Sequence, residues 1–253
     1  VSVQNYKLFK NSKPVIAIDG TCISGKGTLA KNIANKLNFD HLDTGLLYRY
    51  LAYLVSEKKI DEKKTQVLKQ KFDFDEIKKV DLRTEKITKL SSIIASKKKI
   101  RDFLIDIQRN FANHPPSGIG SVIDGRDIGT VVIPLAEVKF FIDANVHVRT
   151  KRRQHDLSEK GESSEYNQVL KQIVERDNRD KNREISPLLM HKDALLIDTS
   201  ELSKIDTLKL AVKLIDRSGK LKLINRWYKS QNSVRVYILI FYIKLWVKIL
   251  VNY

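Results

Sequence analysis

Residues 20–28 read Gly-Thr-Cys-Ile-Ser-Gly-Lys-Gly-Thr, and few folds accommodate such a run in this setting. Val15-Ile16-Ala17-Ile18 precedes it as a short apolar stretch of the kind that forms a buried strand. Leu29 to Leu37 follows with its apolar residues at helical spacing. Strand, glycine-framed loop and helix in this order set backbone N–H groups at the positive end of a helix dipole, an arrangement that suits a polyphosphate. Lys26 can then reach the β- and γ-phosphates, and the Thr28 hydroxyl can hold Mg²⁺. The alternative is a glycine-rich turn between a strand and a helix, with no ligand.

The remaining patterning tells what surrounds this loop. Val122–Ile123, Val138–Ile142 and Ala194–Ile197 are further apolar runs that predict buried strands, with Phe39–Leu42 a less apolar candidate. Helical patterns lie between them at Gly45–Lys59, Thr84–Phe111, Val146–Lys160, Tyr166–Lys181 and Ile205–Ile215. Alternating strands and helices predict an α/β fold with a parallel sheet flanked by helices. Leu46 to Phe111 holds no core strand and reads as an inserted, mostly helical subdomain, and His114-Pro115-Pro116-Ser117-Gly118 turns the chain back to the sheet.

Charge and cysteine content narrow the function classes. Cys22 is the single cysteine, which excludes an intrachain disulfide and fits a reducing compartment; the first thirteen residues carry no apolar signal-peptide core. A cytoplasmic protein is expected. Cys22 reads as a small loop residue, because phosphoryl transfer needs positioned cations and no thiol nucleophile. The net charge of +17 is uneven: residues 217–253 hold Arg217, Lys220, Lys222, Arg226, Lys229, Arg235, Lys244 and Lys248 and no acid. No zinc-finger or other nucleic-acid motif accompanies the charge, so no nucleic-acid partner is expected.

Two arginine clusters complete the candidate chemistry. Asp124-Gly125-Arg126-Asp127-Ile128-Gly129-Thr130 directly follows a candidate strand, where open α/β sheets hold their ligands. Glu175-Arg176-Asp177-Asn178-Arg179-Asp180-Lys181-Asn182-Arg183 places Arg176, Arg179 and Arg183 along one helix face, with Asp180 beside it. Arginine suits bidentate phosphate recognition, and a transferred phosphoryl group needs cations around its equatorial oxygens. A surface helix laced with Asp–Arg pairs is the alternative.

On these residues the chain resembles the bacterial cytidylate kinases. The family's phosphate loop matches Gly20 to Thr28 at both outer glycines and at Lys26-Gly27-Thr28. Its Asp-(Ser/Thr)-Gly-x-x-Tyr-Arg pattern appears as Asp43-Thr44-Gly45-Leu46-Leu47-Tyr48-Arg49, and its Ile-Arg-Thr then Ser-x8-Arg pattern as Leu82-Arg83-Thr84, Ser92 and Arg101. The elements from Asp124 to Val132 and from Glu175 to Arg183 are complete; Ser186-Pro187-Leu188 and Ala194 to Ser200 also fall in place.

The resemblance implies a P-loop NTPase-type α/β fold with a small NMP-binding insert and a short lid. It covers residues 14–216: core 14–43 and 118–216, insert 44–117, lid about 152–165. It implies ATP-dependent phosphorylation of CMP and dCMP with Mg²⁺, by a monomer. Gly20, Thr21, Cys22, Ile23, Ser24, Gly25, Lys26, Gly27 and Thr28 would hold ATP. Thr44 would lie in the CMP site; Ser92, Arg101 and Asp127 would read the cytosine edge, and Asp180 the ribose. Arg49, Arg126 and Arg183 would clamp the CMP phosphate, while Arg152, Arg153, Arg176 and Arg179 would close over the transferred group. Asp124 would assist Mg²⁺ through water, or else is an ordinary turn residue.

Two departures stand out. Ile23 replaces the family's Gly or Ala; a β-branched residue there costs on the order of 1–3 kcal/mol if the loop needs positive φ, and nothing if it is extended. The segment Phe72–Leu82 is too short for a hairpin that many members carry, so the insert should be smaller. Residues 1–13 and 217–253 lie outside the resemblance. Val234–Val251 is apolar but interrupted by Arg235, Lys244 and Lys248, too short a run to span a bilayer. It reads as a disordered or partner-covered extension, as a basic segment lying on an anionic membrane, or as a remnant of a fused downstream protein. Two other functions stay open: a related small-molecule P-loop kinase, and a nucleotide-dependent binding protein whose tail meets membrane or nucleic acid.

Overall fold

A computed structural model describes residues 13–57, 74–77 and 79–219. The expectations for the N-terminal extension and for the apolar tail lie outside these residues. The chain divides after Ala211; the sheet and the site below lie before that division.

Five strands, β1 (Val15–Gly20), β2 (Asp40–Asp43), β3 (Ser121–Asp124), β4 (Val138–Asp143) and β5 (Leu195–Asp198), form one sheet in the order β2-β3-β1-β4-β5. Every pair is parallel, as the alternation of strand and helix predicts. β1 is buried along its whole length, so its run of apolar residues is fully used. Ile16 faces Val122 on one side and Val138 on the other. From β1 the chain passes through α1 to β2 at the sheet edge, while the places on either side of β1 are taken by the later strands β3 and β4; this makes the C-terminal end of β1 a topological switch point and the natural place for a ligand.

The helices are α1 (Lys26–Leu37), α2 (Thr44–Ser56), α3 (Phe74–Ile77), α4 (Glu85–Ile94), α5 (Lys98–Asn113), α6 (Val146–Ser158), α7 (Tyr166–Asn182) and α8 (Lys204–Arg217). α1 buries Leu29, Ala30, Ile33 and Ala34 and stops at Asn38, which adopts the left-handed conformation (φ 54). α2, α4 and α5 pack together around Leu47, Leu51, Leu54, Ile94, Ile100 and Leu104.

The structure corrects one boundary of consequence. The single helix expected over Thr84–Phe111 is two, α4 and α5, separated at residues 95–97. The Thr84 hydroxyl caps α4 by accepting the Ile87 N–H. The break leaves the Ala95 carbonyl available, and Arg101 Nη1 donates to it (3.1 Å). The lid expected over 152–165 begins inside α6, which runs unbroken from Val146 to Ser158. Beyond β3, Ile128–Val132 makes a single π-helical turn. Its last two carbonyls accept from Arg109, at Val132 (3.0 Å) and Val131 (3.3 Å).

Candidate active site

The loop between β1 and α1 starts where Gly20 passes β4. A Cβ at Gly20 would lie 1.9 Å from the Ile142 carbonyl oxygen, so no side chain fits. Thr21 turns backward and donates its hydroxyl to Asp143 Oδ1 (2.6 Å). Ser24 Oγ (3.0 Å) and Lys26 Nζ (3.2 Å) both donate to the Thr21 carbonyl, so the lysine folds across its own loop. Gly25 (φ 88) and Ile23 (φ 58) take left-handed backbone. The glycine does so without strain. Ile23 is β-branched, so of the two conformations open to it the chain adopts the one that costs on the order of 1–3 kcal/mol.

The loop faces a cavity of about 1310 Å³. Pockets for one small ligand span roughly 300–1,000 Å³, so this one has room for two nucleotides. Cys22, Ile23, Ser24, Gly25, Lys26, Gly27 and Thr28 line it. Gly20 and Thr21 do not; they brace the loop from behind. Thr44, Arg49, Ser92, Arg101, Asp124, Arg126, Asp127, Arg152, Arg153, Arg176, Arg179, Asp180 and Arg183 all reach the same cavity, although they come from five separate stretches of sequence.

Opposite the loop, acids and arginines interlock. Arg101 and Asp127, both buried, form a direct ion pair, and Arg183 Nη2 stands 3.6 Å from the other oxygen of Asp127. Arg126 Nε donates to Asp180 Oδ2 (2.8 Å). Burial pushes Asp180 upward, but Arg126 and Arg176 outweigh it and hold the carboxyl below its usual range. Ser92 Oγ accepts from Arg179 Nη1 (2.8 Å), which links α7 to α4. Thr44 Oγ1 donates to the Asp124 carbonyl (2.8 Å). Arg152 donates to the Thr199 hydroxyl (3.0 Å) and carbonyl (2.6 Å), so it is anchored beside the segment after β5.

Between these groups lies a surplus of positive charge. Burial first, then neighbouring Arg126, lowers Lys26 to about 7. Burial and Arg176 bring Arg49 down to about 10. Arg176 is lowered by burial and Arg126, and Arg183 by burial and Arg101. Among the described residues, Arg49 Nε, Arg176 Nε and Arg183 Nη2 are buried donors without a hydrogen-bond partner. Cations crowded at a desolvating cost, with donors left over, make a wall suited to an anion.

Several contributors were not singled out as site residues. His41, from β2, shares a 2.7 Å hydrogen bond with Asp124 Oδ1. Arg101 lies over the Tyr48 ring, 5.7 Å from its centre. Asp19 accepts the N–H groups of Ile128 (2.8 Å) and Gly129 (2.7 Å), fixing the turn that follows Asp127. Arg149 and Asp177 form a buried pair (2.5 Å) that grips the main chain of Cys22. Tyr48 and Asp177 stood inside quoted motifs; His41, Asp19 and Arg149 carried no signal beyond ordinary strand and helix positions.

A five-stranded parallel sheet with a lysine-bearing phosphate loop at its switch point, facing an arginine-rich cleft, defines a P-loop phosphotransferase. The family description "Cytidylate kinase" matches residues 16–217. The cytidylate kinase of Bartonella henselae is 44% identical over 213 residues, covering 83% of this chain and 98% of that protein. That of Bartonella quintana is 44% identical over 205 residues (80% and 94%), and that of Paramagnetospirillum magneticum 42% over 204 (79% and 97%). The chain belongs to the cytidylate kinase family.

Proposed function

We propose that this chain transfers the γ-phosphoryl group of ATP to CMP, and to dCMP, by direct in-line attack. The observation that carries this reading is one cavity walled on one side by the phosphate loop and on the other by Ser92, Arg101 and Asp127, with unpartnered arginine donors between them. Arg101 offers N–H groups and Asp127 oxygens, the complement of a base edge bearing a ring acceptor and an amino donor. Asp180, held by Arg126, takes the ribose hydroxyls. Arg49, Arg126 and Arg183 clamp the CMP phosphate and keep its attacking oxygen in line. Lys26 together with Arg153, Arg176 and Arg179 neutralises charge on the transferred group. No side chain need become covalently modified.

The donor set fits a divalent metal. Thr28 exposes a hydroxyl at the start of α1, and Asp124 Oδ2 is 3.7 Å from where a Cβ on Gly27 would sit. Hydroxyl and carboxylate oxygens are the hard ligands that Mg²⁺ prefers. Thr28 would hold it directly and Asp124 through water; bound there, it would neutralise charge on the β- and γ-phosphates. The single buried cysteine supports action in the cytoplasm. Among the described residues no helix is long and apolar enough to cross a membrane.

A coupled assay of ADP release from ATP with CMP, dCMP, UMP, AMP and GMP tests the reading. CMP and dCMP should lead the series. Preference for a purine nucleotide would overturn the assignment of Ser92, Arg101 and Asp127.

A further inference from the structure

Ile23 presents a puzzle that the catalytic reading leaves unsolved. It is a β-branched residue at φ 58, in a loop whose own glycines would adopt that conformation freely. What the chain gains is on the other side of the residue. Ile23 packs on a small apolar cluster of Cys22, Val169 and Ile173, joined by Val146 and Leu157. Val146 and Leu157 belong to α6; Val169 and Ile173 belong to α7.

The main chain next to it is held by the same two helices. Cys22 N–H donates to Asp177 Oδ1 of α7 (3.3 Å), and Arg149 Nη1 of α6 donates to the Cys22 carbonyl (3.2 Å). The same guanidinium group donates to Asp177 Oδ2 (2.5 Å) and to the Ala144 carbonyl (2.8 Å). The peptide at residue 22 therefore sits in a polar clamp, and residue 23 in an apolar one. α6 carries Arg152 and Arg153; α7 carries Arg176 and Arg179.

We propose that Ile23 is a positioning residue: its packing on the cluster of Cys22, Val169 and Ile173 fixes the phosphate loop to the two helices that deliver the phosphoryl-facing arginines. The strained backbone and that contact occur at the same residue. A glycine here would relax the strain and release the tie. The inference rests on the reading of residues 20–28 as the ATP site. It goes beyond that reading because the loop's N–H groups and Lys26 could bind phosphate with any residue at position 23.

The test is a pair of variants from the two sides of the contact, Ile23→Gly and Ile173→Ala, with their double mutant. Affinities for ATP and CMP are measured separately by titration calorimetry on the full chain. Freeing one loop residue that binding must then re-order costs about fivefold or more in affinity. Each single variant should therefore weaken ATP binding about fivefold or more. CMP binding should stay within about twofold, because Ser92, Arg101 and Asp127 lie outside α6 and α7, and Asp180 sits about two turns along α7 from Ile173, where Arg126 holds it. The double mutant should be weakened by less than the product of the two effects, since both remove one contact. Ile173→Ala keeps the question answerable if Ile23→Gly fails to fold. ATP binding by Ile23→Gly equal to or tighter than that of the wild type would overturn the proposal. So would equal loss for both nucleotides, or effects of the two substitutions that simply multiply. Absence of ATP binding by the wild-type chain would instead overturn the ATP-site reading itself.

Discussion

Asp127 should be far harder to remove than its partner Arg101, although the two form one ion pair. Asp127→Ala leaves the Arg101 guanidinium buried, 1% exposed, with the Ala95 carbonyl at 3.1 Å and the Tyr48 ring face as its remaining contacts. It also strips Arg183 of its neighbouring carboxylate. Breaking a buried pair from one side costs about 3–5 kcal/mol. Arg101→Met is different. Asp127 then still has Arg183 at 3.6 Å, and the methionine fills most of the vacated space. Its cost should be about 1–3 kcal/mol. Urea unfolding at about pH 7 measures both values. Titration calorimetry should then show both variants losing CMP affinity while ATP affinity stays within about threefold, because the phosphate loop shares no side-chain partner with the pair. A larger destabilisation from Arg101→Met than from Asp127→Ala would refute the shielding argument. Loss of ATP affinity in parallel with CMP would refute the division of the cavity into two sites.

Further outcomes follow from single side chains. Lys26→Ala should reduce phosphoryl transfer by about 100-fold or more, yet leave the melting temperature unchanged or raised, because Lys26 is a cation already pushed down to about 7 by burial and by Arg126; near-normal turnover at saturating ATP would sink the loop assignment. Asp19 is raised to about 7, chiefly by burial, against two backbone N–H bonds that lower it. Folding therefore takes up a proton between about pH 4 and 7, and this group's contribution to stability falls as pH rises through that window, by at most about 1.4 kcal/mol per unit. The wild type minus Asp19→Asn difference in unfolding free energy should show that downward slope; a flat difference would mean Asp19 is ionised throughout. A chain ending at Asp216 should retain CMP kinase activity, because every matched motif precedes that residue. Loss of activity in the soluble shortened protein would show that residues 217–253 complete the catalytic unit.

The parallel sheet and its phosphate loop were readable because their signals are local. Val15 to Ile18 is an uninterrupted apolar run, Gly20 to Thr28 carries its spacing in nine consecutive residues, and Tyr166 to Lys181 shows a clear helical period, one residue short of the observed helix. The break between α4 and α5 was not readable, because residues 95–97 contain no glycine or proline, and the separation serves Arg101, whose partner carbonyl lies six residues away. The π-helical turn at Ile128–Val132 was hidden for the same kind of reason: it is held by Asp19 and Arg109, more than a hundred and about twenty residues distant in sequence. Position 23 was legible as an alternative, positive or extended φ, and the cluster on α6 and α7 that accompanies the positive value could not be seen from the loop. Sequence motifs named most of the cavity's side chains. They did not say that Arg126 would hold Asp180, or that Arg179 would reach Ser92, since such pairings depend on how α7 lies against α4 and the segment after β3.

The central claim is that donor and acceptor meet in one cavity and react directly, with arginines and Lys26 bearing the charge and no protein group carrying the phosphoryl. The stereochemical course at the γ-phosphorus tests it most directly. With ATP made chiral at that phosphorus by oxygen isotopes and sulfur, and CMP as acceptor, a single in-line displacement predicts inversion of configuration in the CDP analogue formed. Retention would require two displacements through a phosphorylated side chain, and would contradict the account.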